Sequence, residues 1–291
     1  MRKLSPPAFK SIELYDASVD ELADATLKTK FLSNRNHIVQ AFNDFDTVTR
    51  TKTWCNLPRI GHNNQNVIIV GTLSKSELTS LYANGVVKSK GQARFIYNTI
   101  RLSAHEECPY CGGIGDIGSD GELGTADHFL PKSRFPSYSV LPLNLVPACQ
   151  VCNKEMGSDF PTLPEDQPLH PYLDNDHFFT EKWTTATVRD EEPIVVDFDV
   201  KPPTNWSEQD CSRVKKHFEI CLLKSRYRSR VSQELTPLIS QRKTTLKSLR
   251  SSEFKNHLMA VADEPNLPIN GWKRTLYYAL AETDWFLSKV F

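Results

Sequence analysis

The sequence predicts an α+β protein, a mostly helical chain with a central cysteine-bearing segment and a C-terminal β-hairpin plus helices. Three observations carry that expectation. Apolar residues recur at spacings of three and four through much of residues 1–104 and again after residue 207. Two β-rich runs, 183–188 and 194–198, flank a short polar loop. Four of the seven cysteines fall in two CxxC pairs around a stretch rich in Gly and Asp. The chain therefore divides into a helical N-terminal region (1–104), a cysteine segment (105–175) and a C-terminal hairpin and basic helical region (176–291).

In the first region, residues 20–32 and 36–45 read as helices through Leu22, Ala25 and Phe31, then Ile38, Phe42 and Phe45. The run Gln65 to Gly71 is a candidate strand. Ser74, with Glu77 three residues on, predicts a capped helix over 74–83 that Asn84-Gly85 stops. Residues 92–102 place Ala93, Ile96, Tyr97 and Ile100 on one stripe of a further helix. The cysteine segment is dominated by the loops 112–124 and 135–142. After the hairpin, Ser207 is the expected N-cap of a long helix running toward Gln233, and Pro237, Pro265 and Pro268 punctuate a helical C-terminal stretch.

The 291 residues carry 35 Lys+Arg and 35 Asp+Glu, and 39% are hydrophobic, which excludes wholesale disorder and allows a real core. No apolar stretch approaches the length of a membrane span, and no apolar run succeeds the basic N-terminus. An odd cysteine count with two CxxC pairs favours a reducing compartment and a metal over a disulfide framework, so the expected location is cytoplasmic, with no membrane partner. Zero net charge hides a polarity. Residues 210–255 hold twelve Lys/Arg against four Asp/Glu, while residues 106–199 are rich in acids. A basic helical segment can meet phosphates, or can simply be a solvated helix face.

Cys108, Cys111, Cys149 and Cys152 have the spacing of paired knuckles around one tetrahedral Zn²⁺, a structural site. Redox use of the two pairs is disfavoured, because neither lies in a thioredoxin-like βαβ pattern. Between the knuckles lie Asp127-His128, then Asn144 sixteen positions after His128, then Asn153 directly behind the second knuckle. An isolated Asp-His pair is usually a surface accident; its weight here comes from register with Asn144, Asn153 and both knuckles.

In this window of about 50 residues the sequence resembles the HNH, or ββα-metal, endonuclease superfamily in its zinc-knuckle branch. The resemblance implies a central zinc-stabilised ββα finger that hydrolyses phosphodiester bonds, with DNA favoured over RNA. It implies Asp127 and Asn153 as ligands of a catalytic Mg²⁺ or Mn²⁺, His128 as general base and Asn144 as support. A neutral imidazole with a pKa near working pH suits that base role. Lys132, Lys154, Arg226, Arg228 and Arg230 are the expected nucleic-acid contacts. The order of motifs, ending in His170-Pro171-Tyr172-Leu173-Asp174, further resembles stand-alone HNH nucleases of Septu-type and retron anti-phage systems. That implies an ABC-type ATPase as protein partner. The other readings of the same residues are a non-catalytic zinc-knuckle module that binds nucleic acid, and an assembly subunit.

Overall fold

A computed structural model describes residues 1–104, 107–113 and 124–291. The acids Glu106, Asp116, Asp120 and Glu122, and most of the loop 112–124, lie outside these. The described residues are helix-rich with small antiparallel sheets, an α+β architecture. Their buried apolar side chains form one cluster running from Met1 to Leu287.

The N-terminal region opens with α1 (Glu13–Asp20), α2 (Ala25–Ser33) and α3 (Arg35–Thr51). The helix expected from residue 20 begins instead at Ala25. The Asp24 carboxylate accepts from the backbone N–H groups of Thr26 and Leu27 and fixes the start there. Strand β1 (Ile68–Val70) pairs with β2 (Leu73–Ser74), and Ser74 then caps α4 (Lys75–Leu81) through a reciprocal bond with Glu77. Asn84-Gly85 does not stop this helix. It continues as a wider π turn over Tyr82–Val87. The glycine is needed there for proximity, since a Cβ on Gly85 would lie 2.6 Å from the Ser18 carbonyl oxygen. Next comes α5 (Gln92–Leu102), with the four-residue stripe read from the sequence buried.

In the centre, β3 (Thr125–His128) pairs antiparallel with β4 (Leu145–Ala148), and α6 (Gln150–Met156) begins almost directly after. A short α7 (His177–Thr180) leads into the expected hairpin of β5 (Thr184–Arg189) and β6 (Val195–Val200). Ser207 caps α8 (Glu208–Ile220). The single long helix expected from Ser207 is two, because Leu222 turns into the left-handed region (φ 52°) before α9 (Leu223–Lys243). Pro237 lies inside α9 rather than ending it. The chain closes with α10 (Ser251–Ala262), α11 (Trp272–Ala281) and α12 (Asp284–Ser288).

A buried ion pair joins the central segment to α8. Arg213 and Asp174 are 1% and 0% exposed in their side chains, and the guanidinium meets both carboxylate oxygens, at 2.6 and 2.7 Å. Arg213 also donates to the Gln167 and Pro168 carbonyls, and Asp174 accepts the backbone N–H of His170. His170 itself is fully buried between Trp54 and Phe129. Its Nε2 donates to the Leu143 carbonyl, and Nδ1 accepts from the Tyr172 N–H. The His-Pro-Tyr-x-Asp run is thus a structural clasp, with His170 as packing.

Both members of the clasp can be tested by stability. Asp174→Asn leaves the Arg213 charge buried and half-paired, and should cost about 3–5 kcal/mol in denaturant titrations. Burial pushes His170 down to about 3, below the unfolded value near 6.5. The unfolded chain therefore binds the extra proton, so stability is full above that value and falls as pH drops. The slope should approach about 1.4 kcal/mol per pH unit for this residue, and His170→Gln should show a shallower loss between about pH 6.5 and 5.

Candidate active site and cysteine cluster

Alternation along β3 divides its side chains. Thr125 and Asp127 are partly exposed on one face, while Ala126 and His128 are buried on the other. Helix α6 packs against this strand, and the Cys149 sulfur accepts the Cys152 N–H of its first turn. Asn153, one turn in, donates from Nδ2 to Thr125 Oγ1 at 2.6 Å. Asn153 therefore sits on the Thr125–Asp127 face, and its amide oxygen accepts no hydrogen bond among the described residues. Asp127 Oδ1 accepts the His128 backbone N–H at 2.8 Å. Burial raises the Asp127 carboxyl to about 7, against the pull of that hydrogen bond and of Lys132.

His128 lies across the strand. Its Nε2 is 2.9 Å from the Ser139 carbonyl oxygen, which can only accept, so Nε2 carries the proton and Nδ1 is the acceptor of the neutral ring. Tyr82 stands edge-on to it at 4.5 Å. Burial, helped by the Lys132 charge, lowers His128 to about 3. The expected value near working pH is thus displaced, and the ring is neutral at any ordinary pH. Asn144 is fully buried and fastens the loop backbone, not the histidine ring. Its Oδ1 accepts from Leu130 N at 2.7 Å, and its Nδ2 donates to the Leu130 and Tyr138 carbonyls. That loop carries Ser139, so Asn144 fixes the carbonyl that orients His128.

The four knuckle cysteines are buried and their sulfurs lie within 4.8 Å of one another. Cys111 and Cys149 are 3.9 Å apart, close to the ~3.8 Å edge of a tetrahedron with Zn–S bonds of about 2.3 Å. Gly112 and Gly113 come directly after the first knuckle at φ 74° and 87°, which lets both their N–H groups turn back to the Cys108 carbonyl. The Cys149 and Cys152 N–H groups point at the sulfurs of Cys108 and Cys149. Buried, clustered thiols with N–H donors fit a divalent metal such as Zn²⁺.

Arg226 corrects a sequence expectation. Instead of facing a nucleic-acid backbone, its guanidinium turns inward onto Cys152 and Cys111 (3.2 Å each) and Cys149 (3.5 Å), with a further bond to the Cys221 carbonyl. The thiols of Cys108, Cys111 and Cys152, and then Arg226, all hold Cys149 far down. Residues two apart on a helix face nearly opposite ways, and Arg228 accordingly is exposed, 3.7 Å from Asp197. Arg230 is half-buried and Lys154 exposed. Lys132 lies over the Tyr82 ring at 5.2 Å, near enough to Asp127 and His128 to lower both. Of the remaining cysteines, only Cys221 is fully buried; Cys55 and Cys211 are partly exposed. Sequence reasoning missed the inward turn of Arg226 and the Ser139 carbonyl. The first carries no pattern that separates it from Arg228, and a carbonyl has no sequence signal at all.

No family model matches this chain, and no solved structure matches it. Protein ea31 of Escherichia phage lambda is 31% identical over 303 residues, covering all of both chains. The chain belongs to the family of ea31. Among the described residues, no helix is long and apolar enough to cross a membrane.

Zinc analysis of the purified protein should find one ion per chain. Arg226→Gln should lose it to a chelator about 10- to 100-fold more readily, with Arg226→Lys between the two. Equal zinc retention in all three would remove Arg226 from the site.

Proposed function

We propose that this protein is a metal-dependent endonuclease of the HNH type. The observation that carries the reading is the strand–strand–helix unit, with Asp127 and Asn153 on one face and a neutral, carbonyl-anchored His128 on the other. Asp127 and Asn153 would hold the catalytic cation. Their carboxylate and amide oxygens are hard donors suited to Mg²⁺ or Mn²⁺, and a carboxylate desolvated enough to be raised to about 7 gains from an adjacent cation. When bound, such an ion supplies charge relief on the phosphate and its leaving oxygen. His128 Nδ1 takes the proton from the attacking water, the new P–O bond forms, and the scissile P–O bond breaks. Asn144 and the Ser139 carbonyl keep that nitrogen aimed. Zn²⁺ at the cysteine cluster is structural.

The neutral ring offers Nδ1 as an acceptor without prior deprotonation, while the burial that lowers its pKa also weakens it as a base. Lys132 and Lys154 flank the unit and are the nearest of the expected phosphate contacts. DNA is the proposed substrate ahead of RNA. The regulatory part of the reading is an effector nuclease of anti-phage defence, licensed by an ABC-type ATPase. Motif order supports it, and co-purification with such an ATPase tests it.

Supercoiled plasmid should be relaxed and linearised with Mg²⁺ or Mn²⁺. His128→Ala should cut at least about 100-fold more slowly at unchanged zinc content. Asp127→Ala should lose cutting to a similar degree. Duplex binding that survives with no cleavage of DNA or RNA by wild type would favour the non-catalytic binding module.

A further inference from the structure

Ahead of α4, residues Gly61-His62-Asn63-Asn64-Gln65-Asn66 are exposed without exception, and Val67 and Ile68 behind them are 38% and 56% exposed. The tip presents four consecutive amides followed by two exposed aliphatic side chains, with no Lys, Arg, Asp or Glu among residues 61–68. The loop is also anchored at its base. Lys75 is 1% exposed and spends its ammonium on two loop carbonyls, Gly61 O and His62 O, each at 2.8 Å. Ile60 N bonds Arg134 O, Ser76 N bonds Gln65 O, and Lys75 N bonds Val67 O. Burying the lysine ammonium carries a desolvation cost that these two carbonyl acceptors offset only in part.

Its position ties it to the proposed active site. His62 Nε2 is 3.2 Å from Asp159 Oδ1, which also meets Arg134 at 3.5 Å. Asp159 lines a cleft of about 340 Å³ that His128 also lines. Helix α4, which anchors the loop through Lys75, accepts the Ser139 hydroxyl at the Leu78 carbonyl, and Ser139 O holds His128.

We propose that Asn63–Ile68 enters the minor groove of duplex DNA beside the cut site. The amides of Asn63, Asn64, Gln65 and Asn66 meet base edges, and Ile68 wedges against a base step. The inference rests on the nuclease reading. Amides beside an aliphatic wedge are the chemistry of minor-groove recognition. The major groove is entered mainly by helices or paired ribbons, and β1 and β2 pair too briefly to form one. Cutting would then favour particular steps although no helix reads bases.

The test compares wild type with Asn63→Ala/Asn64→Ala and with Ile68→Ser. All three positions are exposed, and zinc content and thermal midpoint check the fold. Fluorescent duplexes carry either inosine for guanine, which removes a minor-groove amino group, or 7-deazaadenine, which removes a major-groove acceptor. Affinity in Ca²⁺ and the sequences at plasmid cut sites are both read. Expected are a loss of about tenfold in affinity for the variants, a flattened cut-site bias, and sensitivity of wild type to inosine but not to 7-deazaadenine. Unchanged affinity and bias in both variants, or sensitivity to 7-deazaadenine alone, would overturn the loop while leaving the nuclease intact. A wild type that neither binds duplex nor cuts plasmid overturns both readings together.

Discussion

A hairpin with four residues in each strand and a helix of seven cannot hold a fixed side-chain arrangement unaided. Most of the structure around the central unit answers that constraint. The cysteine cluster fastens the start of α6 to the segment that precedes β3. Asn144 staples the loop between the strands to itself through bonds to Leu130, Tyr138 and Phe129. From the N-terminal region, Tyr82 and the Ser139–Leu78 contact close over the buried face of β3. The C-terminal region closes the other end through Arg226. Each flanking region contributes a clamp, which is why one apolar cluster spans the chain.

The clamps are built largely from charged and polar side chains. Arg213 on Asp174, Arg226 on the sulfurs and Lys75 on two carbonyls are each cations turned away from water. A buried ion pair is weak evidence for net stability, but it is strongly directional. Methyl groups would fill the same space without selecting one arrangement. For a small unit whose side chains are held in one arrangement, direction matters more than filled volume.

Much of this is legible in the sequence where local chemistry decides. Ser74 with Glu77, Ser207, the stripe of α5 and the hairpin all come from caps and periodicity that act within a few residues. The knuckle cysteines are legible from spacing, since a metal imposes its geometry on sequence. Asn84-Gly85 and Pro237 mislead because both residue types have more than one use. Gly85 serves close approach to Ser18, and a proline inside a long helix removes one donor without ending it.

Direction is the part that sequence does not display. Twelve basic residues between Asp210 and Lys255 look alike in a charge count, yet Arg213 is 1% exposed and Arg226 lies against three sulfurs, while Arg228 points to solvent. Helical phase separates Arg226 from Arg228, but phase alone does not say which face is inward. The inward face is the one beside the cysteine cluster, where three sulfurs accept the Arg226 guanidinium. The same region therefore offers phosphates fewer cations than its composition suggests.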